Sequence, residues 1–339
     1  MASRGLSRTL WLSLAAGLLV MIVLAVAADL GATLGALRRL NPLWLPLLLA
    51  FSLGNYITRF GRWEFFLRRL GLRLPRRDSL GVFVGGFTFS VTPGKLGEVF
   101  KSVLLKHLQG AALARTAPVI LAERLTDLGG LLLLATLGVY SSRQGGLAWL
   151  FGLGLLLLLL VLLLAPGLER WLLGLLARLP GLRTRGESLE RALASTRALL
   201  RPRDLPLLLL LSALAWFWEG WALVFAARAF GESLPLGQAL GYYSLATLLG
   251  ALAFVPGGLG VTEGSLALLL GRGAGLPAGP AAAATLLIRA TTLWFAVALG
   301  LLALVWLDRR WRLGARLWSG LDTLNPARDG EPGLEAGRS

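Results

Sequence analysis

Charged side chains recur inside the apolar stretches of this chain, where charge is expensive. Thr92-Pro93-Gly94-Lys95 interrupts the apolar run 80–108 and is followed at once by Glu98 and Lys101. Proline removes an amide donor and glycine permits a sharp bend. A half-helix starting at such a break aims unsatisfied amides and the positive end of its dipole inward, which suits a phosphate. The lysines of the chain, Lys95, Lys101 and Lys106, all fall in this one half-helix. An ammonium is a compact point charge, fit for an anion that must bind and then leave. Lys106 reads as an interfacial anchor, whereas Lys95, beside the break, reads as functional.

A second break, Val255-Pro256-Gly257-Gly258-Leu259-Gly260, is followed by Glu263. Arg124 and Arg289 stand about ten residues into the next apolar spans, near mid-depth at about 1.5 Å per residue. Charge at that depth costs several kcal/mol unless it is paired, and it points to function. Glu98 and Glu263 are each expected to pair with one of these arginines across the interface between the chain halves, leaving one cation for a head group. Glu123 and Asp127, a turn apart with Arg124 between them, either neutralise that arginine or join the same polar slot. Glu219, among Trp216, Trp218 and Trp221, reads either as cavity lining or as a helix–helix hydrogen bond. The tryptophans read as an interfacial belt rather than a cage for a quaternary ammonium. Arg59, Arg62 and Glu64 stand near the end of the second span.

The elements that must hold these residues are membrane helices. The chain of 339 residues is 56% hydrophobic, with a mean hydropathy of +0.70, which excludes a soluble globule. There is no cysteine and one histidine, His107. Disulfides, thiolate metal sites and histidine acid–base sets are thereby excluded, and no metal or cofactor is expected. Lysine and arginine outnumber acids to a net +16. Most of the basic residues lie in loops between apolar runs, where they orient a membrane protein and touch anionic lipid; nucleic acid is not an expected partner. Gly94-Lys95 lacks the spacing and hydroxyl of a P-loop, and Gly258-x-Gly260 has no strand before it, so no nucleotide is expected.

Apolar runs place full spans at 10–28, 43–66, 113–140, 147–165, 205–227 and 280–307. The two broken stretches, 80–108 and 239–271, are each too short per half to cross. They read as re-entrant hairpins with their tips buried in protein. Arg4, Arg8 and Ala25-Val26-Ala27 imitate a cleavable leader, yet the apolar run between them is long for one and reads as a retained span. Residues 29–42 read as a short loop. Between 168 and 203, Leu189, Leu193, Thr196, Leu199 and Leu200 share one helical face, the pattern of amphipathic helices lying at the interface.

The broken stretches look like copies. At a shift of 160 residues, the segment from Phe65 through Arg68, Gly71 and Leu74 to Pro75 falls on Phe225, Arg228, Gly231, Leu234 and Pro235. Pro93-Gly94-x-Leu96-Gly97-Glu98 then resembles Pro256-Gly257-x-Leu259-Gly260-x-x-Glu263, and Arg124 and Arg289 lie equally far beyond the two glutamates. Ordered matches of this kind indicate duplication. Three crossings per half would invert the second copy, and the basic loops share one side, which puts both termini in the cytoplasm. The expected fold is all-α and integral to the membrane: about six spans and two re-entrant hairpins in an inverted repeat, an architecture of transporters. The divisions are a cytoplasmic N-terminus (1–9), a first repeat (10–146), a second repeat (147–310, with the insert 168–203) and a cytoplasmic tail (311–339).

Thr92-Pro93-Gly94-Lys95-Leu96-Gly97-Glu98, Glu123-Arg124-x-x-Asp127 and Pro256-Gly257-Gly258-Leu259-Gly260-x-x-Glu263 resemble the flippase-type membrane domain of bacterial lysylphosphatidylglycerol synthases, the multiple peptide resistance factor family. The resemblance spans residues 10–310. It implies an inverted-repeat helical fold and movement of an anionic or aminoacylated phospholipid, or a lipid-linked phosphate, between leaflets of the cell (inner) membrane. The aminoacyltransferase domain of the full-length enzymes is expected to be absent, so this chain is expected to be no enzyme. A separate lipid-modifying enzyme is the partner the resemblance suggests, and homo-oligomers are compatible with it. Two alternatives remain open: a lipid-binding or assembly protein without transport, and a membrane-embedded lipid-modifying enzyme, for which only Glu123 and Asp127 offer clustered acids.

Overall fold

The computed structural model describes residues 15, 17–26, 29–91, 96–140, 150, 153–158, 161, 195–253 and 255–312. Among them every regular element is helical. The main helices are α1 (Gly17–Val26), α2 (Leu30–Arg38), α3 (Trp44–Arg69), α4 (Arg76–Gly85), α5 (Leu96–Gln109), α6 (Leu113–Tyr140), α7 (Leu205–Arg228), α8 (Leu236–Leu252), α9 (Val261–Leu268) and α10 (Ala278–Trp311). A π turn, Ala290–Trp294, interrupts α10. By length and composition α7 and α10 could cross a bilayer. The 26 residues of α3 and 28 of α6 are as long as a bilayer core of about 30 Å requires. Their apolar character is diluted by Arg59, Arg62 and Glu64 in α3, and by Glu123, Arg124 and Asp127 in α6.

Residues 29–42 are not the plain loop expected, since α2 occupies most of them. Asp29 caps it, its Oδ1 accepting from the Ala32 amide at 3.1 Å, and this satisfies one of the orphan donors of a helix start. The last span is longer than 280–307, running Ala278–Trp311. The span expected at 147–165 and the insert 168–203 lie mostly outside the described residues, Leu189 and Leu193 among them. Where that insert is described, Thr196, Leu199 and Leu200 are buried, the two leucines packed in the core with Leu205 and Leu208. They therefore face protein rather than only the interface.

Two segments 160 residues apart share one backbone geometry. Helix α3 ends with Gly71 at φ 70°, and α7 with Gly231 at φ 83°. The Leu72 amide donates to Leu67 O and that of Gly71 to Arg68 O. In the same register, Glu232 donates to Ala227 O and Gly231 to Arg228 O. This is a Schellman stop, written twice, and glycine supplies the left-handed residue at no steric cost. Pro75 and Pro235 then cap α4 and α8 with nearly equal torsions, φ −52° and −59°.

Helices α3 and α7, which precede these two stops, pack antiparallel. The start of α3 meets the end of α7, with Trp44 and Phe225 rings 6.1 Å apart. At the centre Asn55 Nδ2 donates to Ala215 O at 2.7 Å. The end of α3 meets the start of α7 through the Arg69–Asp204 ion pair, whose hydrogen bond holds the Asp204 carboxyl below its ordinary range. Each hairpin then packs on the last long helix of the other copy. Helix α8 lies on α6 where Gly138 meets Gly241. Helix α4 and the turn Gly86–Phe89 after it lie on α10, where Asp78 takes Arg310 at 2.6 Å and Gly300 meets the Thr88 backbone. Apolar side chains gain little by associating in lipid, so small residues that let backbones approach decide such contacts.

A Cβ on Gly138 would lie 2.3 Å from the Gly241 Cα and 2.4 Å from its nitrogen. Backbone atoms cannot step aside as a side-chain tip can. Gly138→Val is expected to cost about 1–3 kcal/mol or more by overpacking, read as a lower melting temperature in detergent, while Gly264→Ala, at a position open on all sides, leaves it unchanged.

Candidate functional site

A cavity of about 240 Å³ opens where α3, α6, α7, α8 and α10 meet the two broken stretches. Arg59, Arg124 and Arg289 reach its wall from α3, α6 and α10, and Asp127 and Glu219 from α6 and α7. Tyr56, Trp216 and Tyr243 supply aromatic surface, and Gly257 and Gly258 bring the backbone of the second break to its edge. Both glycines have positive φ, 60° and 69°, which favours glycine at a turn this tight.

The charges are wired in specific pairs. Asp127 receives Arg59 Nη2 at 2.8 Å and Arg62 Nη2 at 2.7 Å. Ser212 Oγ also donates to it at 3.0 Å, and Arg62 uses its other terminal nitrogen on Thr126. Arg59 lies 5.4 Å from the Trp216 ring centroid, within cation–π range. Arg289 Nε donates to Glu263 Oε1 at 2.6 Å, and its Nη2 to the Gly257 carbonyl at 2.9 Å. The other oxygen of Glu263 accepts from the Gly260 amide at 2.7 Å, as an acid in the first helical turn does. One ion pair thus ties the second break to α10. Glu219 accepts from the Tyr243 hydroxyl. The π turn directly after Arg289 disturbs the regular carbonyl pattern; Ser52 Oγ donates to Thr291 O and the Tyr56 hydroxyl to Thr292 O, both at 2.7 Å.

Of the residues singled out from sequence, Arg124, Asp127, Glu219, Gly257, Gly258 and Arg289 share the cavity wall. Glu263 stands behind Arg289, and Gly260 caps Glu263. Lys101 and Glu123 form their own ion pair at 2.6 Å, with the ammonium 4.7 Å from the Trp63 centroid; neither lines the cavity. Thr92, Pro93, Gly94 and Lys95, and the side chains of Glu98 and Pro256, lie outside what the structure describes. Glu263 pairs with an arginine of its own copy, not across the copies as expected. The span that follows each half-helix turns towards it, so the nearest counter-charge is local. Trp216 is cavity wall rather than belt, whereas Trp218 and Trp221 pack with Phe51. Tyr56, Tyr243 and the cavity role of Arg59 escaped the sequence reading. The signal for Arg59 was present: it occupies the position of Glu219 in the 160-residue register.

Residues 10–300 match the family described as the lysylphosphatidylglycerol synthase TM region. A UPF0104 membrane protein of Methanothermobacter thermautotrophicus is 30% identical over 279 residues, covering 76% of this chain and 81% of its own length. A second from that organism is 25% identical over 321 residues, covering 85% and 94%. The UPF0104 membrane protein MJ1078 of Methanocaldococcus jannaschii is 26% identical over 193 residues, covering 54% and 79%.

Removing one partner of a buried pair strands a charge, at about 3–5 kcal/mol, whereas replacing both by apolar groups is often near neutral. Glu123→Leu is therefore expected to lower the melting temperature sharply. Adding Lys101→Leu to it restores most of the loss. Equal losses in the single and double variants would show that the pair does more than hold α5 to α6.

Proposed function

The chain belongs to the family of the lysylphosphatidylglycerol synthase TM region, and from that premise we propose that it is a lipid flippase. The lipid is an anionic or aminoacylated phospholipid, or a lipid-linked phosphate, and the membrane is the inner cell membrane. The observation that carries this reading is the convergence of Arg59, Arg124 and Arg289, from separate helices, on one buried cavity at the second broken stretch. Guanidinium groups match phosphate oxygens with a planar fork of donors. Buried cations in a membrane bundle mark substrate paths. The cavity, about 240 Å³, is smaller than the roughly 300–1,000 Å³ of ordinary ligand pockets. A head group enters it, and the acyl chains stay in the bilayer.

The antiparallel packing of α3 on α7, with matching stops at Gly71 and Gly231, supports an inverted repeat. In such a repeat the two breaks would open in turn to opposite leaflets. The chain itself performs no transfer chemistry in this reading, and a separate enzyme supplies any modified lipid. Tyr56, Tyr243 and Glu219 form the wall that the head group slides past, and Asp127 holds Arg59 in place.

Reconstitution into liposomes with fluorescent phosphatidylglycerol tests this. Wild type is expected to expose inner-leaflet label to an external quencher. Arg124→Gln is expected to slow that at least tenfold, the worth of about 1.4 kcal/mol, whereas Arg228→Gln, on the exposed end of α7, leaves it unchanged. If both variants match wild type, the cavity is not the path. Lipid binding without leaflet exchange would favour a receptor or assembly role.

A further inference from the structure

A second concavity lies away from the central cavity, at the end where α3 finishes and α7 begins. It is an open groove of about 980 Å³ between these two helices. Arg68, Arg69, Arg76, Arg201 and Arg203 line its rim, against only Glu64 and Asp204. Both acids are already engaged. Asp204 is bonded by Arg69, and Glu64 accepts from Ser79 and lies 4.0 Å from Arg68. Arg76 and Arg201 are exposed, and two acids against five arginines leave the rim with an excess of positive charge. Below the arginines the wall turns apolar, with Ile57, Phe60, Phe65 and Leu211. Ile57 is 69% exposed on a helix long enough to span, so that wall faces acyl chains.

We propose that this groove is a binding site for an anionic glycerophospholipid of the adjoining leaflet. Its phosphate sits between Arg76 and Arg201, and a tail lies along Ile57, Phe60 and Leu211. Arginines from two segments more than a hundred residues apart converge here, Arg76 at the start of α4 and Arg201 just before α7. A free anion would need the cations but not the apolar wall. A neutral lipid would need the wall but not the excess of guanidinium groups. The site is distinct from the central cavity, with which it shares no lining residue, and it requires no transport.

The test is native mass spectrometry of the full-length protein in detergent, titrated with phosphatidylglycerol, phosphatidylcholine or inorganic phosphate. Each arginine near a membrane surface contributes about 1 kcal/mol towards anionic lipid. Arg76→Gln with Arg201→Gln should therefore weaken the phosphatidylglycerol adduct on the order of thirtyfold. Arg73→Gln with Arg77→Gln removes the same charge beside Arg76 but outside the groove, and should leave the adduct unchanged. Equal weakening by both pairs would reduce the effect to surface charge and overturn the proposal. So would phosphatidylcholine binding as tightly, or inorganic phosphate displacing the lipid at equal concentration. Arg124→Gln separates the two readings: it should stop exchange through the cavity and spare this adduct.

Discussion

Taking a carboxylate out of water costs several kcal/mol, and only a well-placed donor returns it. Each buried acid among the described residues has one, drawn from another element. Asp78 takes Arg310, Glu123 takes Lys101, Asp127 takes Arg59 and Arg62, and Glu263 takes Arg289. Glu219 instead meets the hydroxyl of Tyr243. Because lipid surrounds such helices as comfortably as leucine does, apolar contact alone does not choose partners. The ion pairs choose them together with the close glycine contacts. They fix which helices touch, and by placing arginines at the ends of those contacts they also set the chemistry of the cavity.

The segments matched at a shift of 160 residues keep the skeleton of this wiring while exchanging its signs. Ser52 and Ser212 hold one register position, and each donates to a helix of the opposite copy. Arg59 and Glu219 share another, a cation in one half and an anion in the other. In the first copy the half-helix carries the cation and the following span the acid, as Lys101 and Glu123. In the second the order is reversed, as Glu263 and Arg289. Each segment thus closes an ion pair of its own, while Arg59, Arg124 and Arg289 still converge on the one cavity.

Much of this was legible in the residues. The break at Pro256-Gly257-Gly258 and the place of Arg124 and Arg289 inside long helices follow from local rules that hold whatever the tertiary context. Gly71 and Gly231, matched in sequence, prove to be twin helix stops, since glycine takes that torsion cheaply. Partnership was less legible. Nothing in the spacing of Glu123, Arg124 and Asp127 tells that Asp127 is claimed by α3 and Glu123 by α5, since that depends on which faces two distant helices turn to each other. Helix α2 was missed because its nine residues carry a weak pattern, and its support comes from Gly279 of α10. Tyr56 and Tyr243 were passed over because a tyrosine in an apolar helix is ordinary until a cavity is found beside it.

The contact between Asp78 and Arg310 has a consequence for how the protein is made. A ribosome delivers Asp78 early and Arg310, 232 residues later, near the end of the last long helix. Until then the first hairpin has neither its counter-ion nor Gly300 to receive the turn at Thr88. Helix α4 thus waits for a partner not yet synthesised, whereas α8 emerges with its partner α6 already made. The contacts of α4 with α10 are among the last that a growing chain can make.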